Sequence, residues 1–166
     1  MAATIPVPIQ FSLPEGWRSV PPDDVGTPES AFVALCPSEA RQGFTPNISI
    51  SGEIRQSIDL IAIGDEAVDN LRAAGAQGVK LGRRDETGTA ANPGLAQAVK
   101  LVVPLGGRTV DLVQYQVFLL IRDQRDLRRE AVLHVVLSAL LEEQFQRVIG
   151  DFQKFLETIQ PEKASS

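Results

Sequence analysis

Two adjacent glycines, Gly106 and Gly107, constrain this chain more than any other feature because of what flanks them. LAQAVKLVVP precedes them and TVDLVQYQVFLLI follows, both rich in the β-branched and aromatic residues that pack well in strands. Glycine enters positive φ without steric cost, and the tight primed turns that join right-twisted strands require it, so the two runs read as one long hairpin. In the second run Val113, Tyr115, Val117, Leu119 and Ile121 share one face, while Leu112, Phe118 and Leu120 lie on the other. A strand apolar on both sides belongs inside a sheet with both faces covered.

The segment after the hairpin supplies one cover. A polar connection, RDQRDLR, leads to a third strand-like run, EAVLHVVLSAL, and then to LLEEQFQRVIGDFQKFLETI. There Leu141, Phe145, Val148, Phe152, Phe155 and Ile159 recur at helical spacing and leave Glu142, Glu143, Gln146, Arg147 and Lys154 for solvent. The second cover has to come from earlier in the chain. Ser57 is placed to cap a helix with the stripe Ile58, Ile61, Ala62, Val68, Leu71 and Ala74, ending near Gly75; a break at Gly64 is the alternative.

Shorter strands fill the rest. Ile5 to Leu13 has an edge-strand pattern, since Pro6 and Pro8 within it and Pro14 beyond it have no N–H for a ladder. Trp17 to Val20 and Ala31 to Leu35 read as short strands. Asn47 to Ile54 alternates, with Ile48, Ile50 and Ile54 opposite Asn47, Ser49, Ser51 and Glu53, and Val79 to Thr89 forms a weaker strand. The expectation is an α+β fold, an α/β/α sandwich whose mainly antiparallel sheet carries helices on both faces. The 166 residues are expected to form one domain with a core at about 9–159 and a flexible tail over 160–166.

Composition removes several function classes. A net charge of −5 and a pI near 4.9 do not supply the clustered cations of a nucleic-acid binder, so no nucleic-acid partner is expected. No apolar run reaches the roughly 18 residues of a membrane span, and MAATIPVPIQ lacks the basic and apolar regions of a secretory signal. A cytoplasmic location follows as the expectation, with an envelope location only for a chain truncated at its start. The single cysteine, Cys36, rules out an intramolecular disulfide and is expected to be a buried, inert thiol.

Chemistry-bearing constellations are sparse. Any nucleophile and base pair would have to use the one histidine, His134, which sits in an apolar strand between Leu133 and Val135 and reads as structural. LGGR and AGAQG lack the spacing of a phosphate loop, and Asp23-Asp24, Asp85-Glu86 and Glu142-Glu143 are neighbours whose side chains diverge. No catalytic residue, metal or cofactor is therefore expected. Trp17, the only tryptophan, reads as a packing anchor. The unusual charge feature is the connection with four arginines, Arg122, Arg125, Arg128 and Arg129, and Leu127 among them. It is either a solvated turn or a protein-docking loop, since arginine is enriched at interface hot spots and forms bidentate pairs with carboxylates.

FSLPEGW near the start, then GFTPNISISGE, a helix, the hairpin, a further strand and a final helix carrying DFQKFLETI give the chain a family likeness. It resembles the fold shared by the photosystem extrinsic protein PsbP and the Ran-binding factor Mog. Within that group it is most similar to actinobacterial Lpq-type lipoproteins and DcrB-like domains, although it has no signal peptide and no lipobox cysteine. The resemblance implies an antiparallel sheet between helices and non-enzymatic work, because relatives assist complexes, bind protein partners or chaperone secreted effectors. Two function classes are carried forward: a non-catalytic protein-binding accessory module, adaptor or chaperone-like; and a small-molecule binder or enzyme with a pocket between sheet and helix.

Overall fold

The structure, a computed structural model, describes residues 5–25, 30–55, 58–88, 93–123, 125, 126, 128 and 130–161. The expected hairpin is its spine: β6 (Pro93–Leu105) and β7 (Arg108–Arg122) pair antiparallel in unbroken register from Gly94↔Leu119 to Leu105↔Arg108. Gly106 and Gly107 carry the turn at φ 59° and 82°, both in the left-handed region that favours glycine. The other strands among the described residues are β1 (Ile9–Gln10), β2 (Arg18–Val20), β3 (Phe32–Leu35), β4 (Asn47–Glu53), β5 (Gln77–Gly88), β8 (Glu130–Leu140) and β9 (Gln160–Pro161). Among the described residues two α-helices, α1 (Leu60–Ala73) and α2 (Glu143–Thr158), accompany them. Seven strands form one antiparallel sheet in the order β2-β3-β4-β8-β7-β6-β5, with β7 inside it as its two apolar faces require.

Alternation along the inner strands separates two apolar layers. Val117, Val135, Ala96, Leu133 and Leu137 pack with Val148, Phe152 and Phe155 of α2. The intervening residues Leu95, Phe118 and Val132 pack with Ile63 of α1 on the other side. The N-terminal segment joins the α2 layer: Val7 is fully buried, and the Phe11 ring meets Phe32 at 4.8 Å and Phe155 at 5.4 Å edge-on. Trp17 is the anchor its size suggested, only 7% exposed, its indole N–H donating to Asp151 Oδ2 at 3.1 Å.

Four local expectations change. The segment from Ile5 to Leu13 is no strand of the main sheet; only Ile9–Gln10 pair, and they pair with Gln160–Pro161. Prolines limit that ladder to two residues, and the pairing means that the chain is still ordered at 160 and 161, inside the span expected to be a tail. Residues 162–166 lie outside the described residues. Ile54 does not share the Ile48 face, because β4 ends at Glu53, and it is 54% exposed.

The fourth change is in α1. Ser57 lies outside the described residues; Asp59 caps the helix, its Oδ1 accepting from the N–H groups of Ile61 and Ala62 at 3.1 and 3.2 Å. Starting at Leu60 turns Ile63 and Val68 inward and leaves Ile61 47% exposed, so the inward stripe is not the expected one. The helix also runs unbroken through Gly64, where a Cβ would lie 2.6 Å from Gln97 Oε1 and 3.1 Å from Leu95. Glycine lets α1 approach β6 that closely.

Candidate binding surfaces at one end and on one face of the sheet

The connection with four arginines leaves the sheet where β7 ends and β8 begins. The same end of the sheet carries the last residues of β4 and β5, the first of β6 and the N-terminus of α1. A groove of about 610 Å³ opens there, lined on one side by Ile58, Leu60 and Ile61 and on the other by Pro93, Leu95 and Leu120, with Asp59, Glu86 and Thr87 as its polar members. Among the described residues, Ile54 and Ile61 are the large hydrophobics that stay exposed, and both sit at this end.

The arginines there are held by weak local pairs. Arg122 lies 3.4 Å from Glu130, and Arg128 lies 3.1 Å from Asp126, whose carboxylate raises the Arg128 guanidinium above its ordinary pKa. Both pairs are largely solvent-exposed, and such pairs contribute about 0–1 kcal/mol each. The Arg125 backbone N–H donates to the buried Asp123 side chain at 2.8 Å, which shapes the turn and leaves the Arg125 residue exposed. Leu127 and Arg129 lie outside the described residues.

A second surface lies on the α1 face. α1 packs over β5, β6, β7 and the Val132 end of β8, and leaves β3 and the parts of β4 and β8 beyond it uncovered on that side. The opening is a cleft of about 380 Å³ with a mixed lining: Ser30, Asn47, Ser49, Ser51, Gln114, Gln116, His134 and Ser138 are its polar residues, Val33, Leu35 and Val136 its apolar ones, and Ala67 and Asn70 of α1 form one wall. The polar side of β4 was legible in its alternation. Its union with Gln114, Gln116 and Ser138 was not, because those residues come from strands that read as apolar.

His134 stands at the edge of this cleft, not sealed in the core. Its ring meets Phe118 edge-on at 5.0 Å, and Nε2 lies 3.1 Å from Glu53 Oε1. Glu53 also accepts from Arg55 Nε at 2.9 Å, and Arg55 reaches Glu66 of α1 at 2.6 Å. The bonds to Glu66 and then Glu53 raise the Arg55 pKa, and the bond from Arg55 lowers that of Glu66. Ser51 stands opposite His134 in the ladder, the nearest approach to a nucleophile beside a base. Among the described residues, however, no hydrogen bond joins them, and the ring nitrogen recorded in contact faces Glu53. That is not the arrangement of a hydrolytic triad, in which the base holds the nucleophile's proton.

Burial lowers the His134 pKa, outweighing the opposing pull of Glu53. The imidazole is thus neutral in the folded chain at a pH where the unfolded chain takes up a proton, and stability falls as pH drops below the ordinary value of 6.5. The groups facing it are Glu53, Arg55 and Glu66. Wild type should therefore lose melting temperature more steeply than His134→Gln between neutral and mildly acidic pH. Parallel curves would mean that His134 does not titrate differently on unfolding.

Elsewhere, Cys36 is 3% exposed with Sγ 3.7 Å from Ser38 Oγ. Among the described residues no group of three or more His, Cys, Asp or Glu is placed to hold a metal ion, and no helix is long and apolar enough to cross a membrane.

The sheet order and its two helices give the chain a PsbP/Mog-like fold, as solved structures confirm. Cyanobacterial PsbP (CyanoP) from Synechocystis sp. PCC 6803 superposes with a TM-score of 0.61 at 12% identity, covering 93% of this chain and 86% of that one. LpqN of Mycobacterium tuberculosis, described as involved in cell envelope biogenesis, gives 0.58 at 16% identity over 92% of this chain and 83% of its own. The Ran-binding protein Mog1p of Saccharomyces cerevisiae gives 0.58 at 13% identity over 93% and 90%. No family model matches the chain, and no curated protein matches it. At such identities the likeness establishes the fold.

Proposed function

We propose that this chain is a non-catalytic protein-binding accessory module, adaptor or chaperone-like, and that it docks its partner at the β7–β8 end of the sheet. The observation that carries the proposal is a juxtaposition: an open, partly apolar groove with the exposed Ile61 lies at the same end as the arginine-rich connection. A partner segment with apolar side chains flanked by carboxylates fits it, the former filling the groove and the latter taking over the exposed arginines. Among the neighbours in fold, Mog1p is a Ran-binding protein, which supports protein contact as work this scaffold can do. The proposal also sets the chain in the cytoplasm, which cell fractionation tests.

Partner recovery should depend on both halves of the surface. Arg125→Ser with Arg128→Ser should slow association and weaken its salt dependence, as loss of rim charge does, whereas Ile61→Ser should speed dissociation. Both variants should melt like wild type, since these residues are exposed. Unchanged kinetics in both would return the arginine connection to a solvated turn. The second class, a ligand held between sheet and helix, is favoured by a separate observation, the polar cleft.

A further inference from the structure

A chain of side-chain hydrogen bonds crosses the sheet under α1 and ends in the polar cleft. Arg84 of β5 donates from Nε to Gln97 Oε1 at 2.9 Å. Gln97 Nε2 donates to Gln116 Oε1 at 2.7 Å and to the Gly64 carbonyl of α1 at 2.9 Å. Gln116 Nε2 then donates to Gln114 Oε1 at 3.0 Å. Glutamine amides can usually turn either way, but these cannot. Arginine has only donors, so Gln97 must offer it oxygen; the Gly64 carbonyl has only acceptor sites, so Gln97 must offer it nitrogen. Each amide fixes the next, and on Gln114, which lines the cleft, the oxygen is taken by Gln116 and the NH2 group is the end of the chain.

We propose that this cleft is a binding site for a small neutral ligand bearing a carbonyl oxygen, an amide in particular, and that Gln114 Nε2 donates to that oxygen. Gln97 and Gln116, 1% and 3% exposed, are positioning residues that hold the Gln114 amide in a donor orientation before any ligand arrives. The cleft has further groups to satisfy such a ligand. Ser30 and Ser138, 7% and 8% exposed, line it together with Ser49 and Ser51, so hydroxyls able to donate or accept stand around the donor. Charge disfavours an anion: the ion-pair network beside the cleft sets the two carboxylates of Glu53 and Glu66 against Arg55. A volume of about 380 Å³ is in the range of small-molecule sites. The inference is independent of the docking proposal, whose residues lie at the β7–β8 end.

The test is a side-chain and backbone NMR titration of the full chain with N-methylacetamide, with sodium acetate at matched ionic strength, and with a blocked tripeptide of alanine and glycine. The amide should shift the Gln114 side-chain NH2 signals and the backbone amides of Ser49, Ser51 and Ser138 in a saturable way, and acetate should not. Tighter binding of the tripeptide than of N-methylacetamide would assign the natural amide to a peptide segment, and the reverse to a free small molecule. Gln114→Glu can still accept from Gln116 but has no donor to offer, so it should weaken binding at least about tenfold, the loss expected when one good hydrogen bond is not made. Its melting temperature should stay near that of wild type. Acetate binding as well as the amide, shifts spread away from the cleft, or wild-type affinity in Gln114→Glu would each overturn the proposal.

Discussion

Phe152→Ala should lower the stability of this chain by about 3–5 kcal/mol, the usual cost of emptying a fully buried phenylalanine site. Phe152 has no exposed surface and packs with its α2 neighbours Val148 and Phe155 in the larger apolar cluster, its ring edge-on to Tyr115 at 5.9 Å. The seven-stranded sheet beneath α2 limits how far the hole can collapse. A single domain is typically stable by about 5–15 kcal/mol, so the variant should be close to unfolding at physiological temperature. Lys154→Ala, two residues along on the exposed side of the same helix, should change the denaturation midpoint little. Comparable small shifts in the two variants would mean that α2 does not cover this face.

Gln97→Leu should cost about 2–4 kcal/mol even though it replaces a polar residue in a core by an apolar one of similar size. The gain in apolar burial is real, but Gln97 is 1% exposed and holds three partners. Leucine would leave the Arg84 guanidinium without one acceptor and the buried Gln116 oxygen without its donor, and unpaired buried groups are costly. Gln146→Leu, on the exposed side of α2, serves as the matched control and should be nearly neutral. A Gln97→Leu protein as stable as wild type would mean that the amide chain across the sheet does not hold in solution.

Periodicity made the hairpin, β8 and α2 legible because their apolar residues recur over many residues, and long periodic elements leave little choice of register. The same logic hid the polar interior. Gln97 and Gln116 alternate with apolar residues, so a pattern that treats polar as outward assigns them to solvent, and Gln144 was lost the same way. Gln144 is 4% exposed because its side chain accepts from the Leu140 N–H and donates to the carbonyls of Glu39 and Phe44, a contact spanning about a hundred residues that no local pattern encodes. The cap of α1 moved two residues because Asp59 and Ser57 are equally good capping types, and only packing decides between them.

The candidate surfaces were legible to different degrees. Four arginines in one connection stand out in a chain of net charge −5. That a partly apolar groove opens at the same end depends on which strand termini meet there, and this is a property of topology. His134 read as a packed strand residue, and its contacts with Phe118 and Glu53 fit that in part, yet it also lines the cleft because α1 covers β8 only at its Val132 end. Coverage by a helix is decided by loop lengths and cannot be taken from the strand itself.

The most direct measurement of the docking proposal places a photo-activated crosslinking residue at Ile61, at Arg125 and, as a control, at Arg108 beside the Gly106-Gly107 turn. The first two positions lie at the β7–β8 end and the third at the opposite end of β7. Irradiation in cells should join the same partner to the Ile61 and Arg125 proteins and leave the Arg108 protein free of it. Crosslinking to that partner from Arg108 but not from Ile61 or Arg125 would place the contact at the other end of the sheet and contradict the proposal.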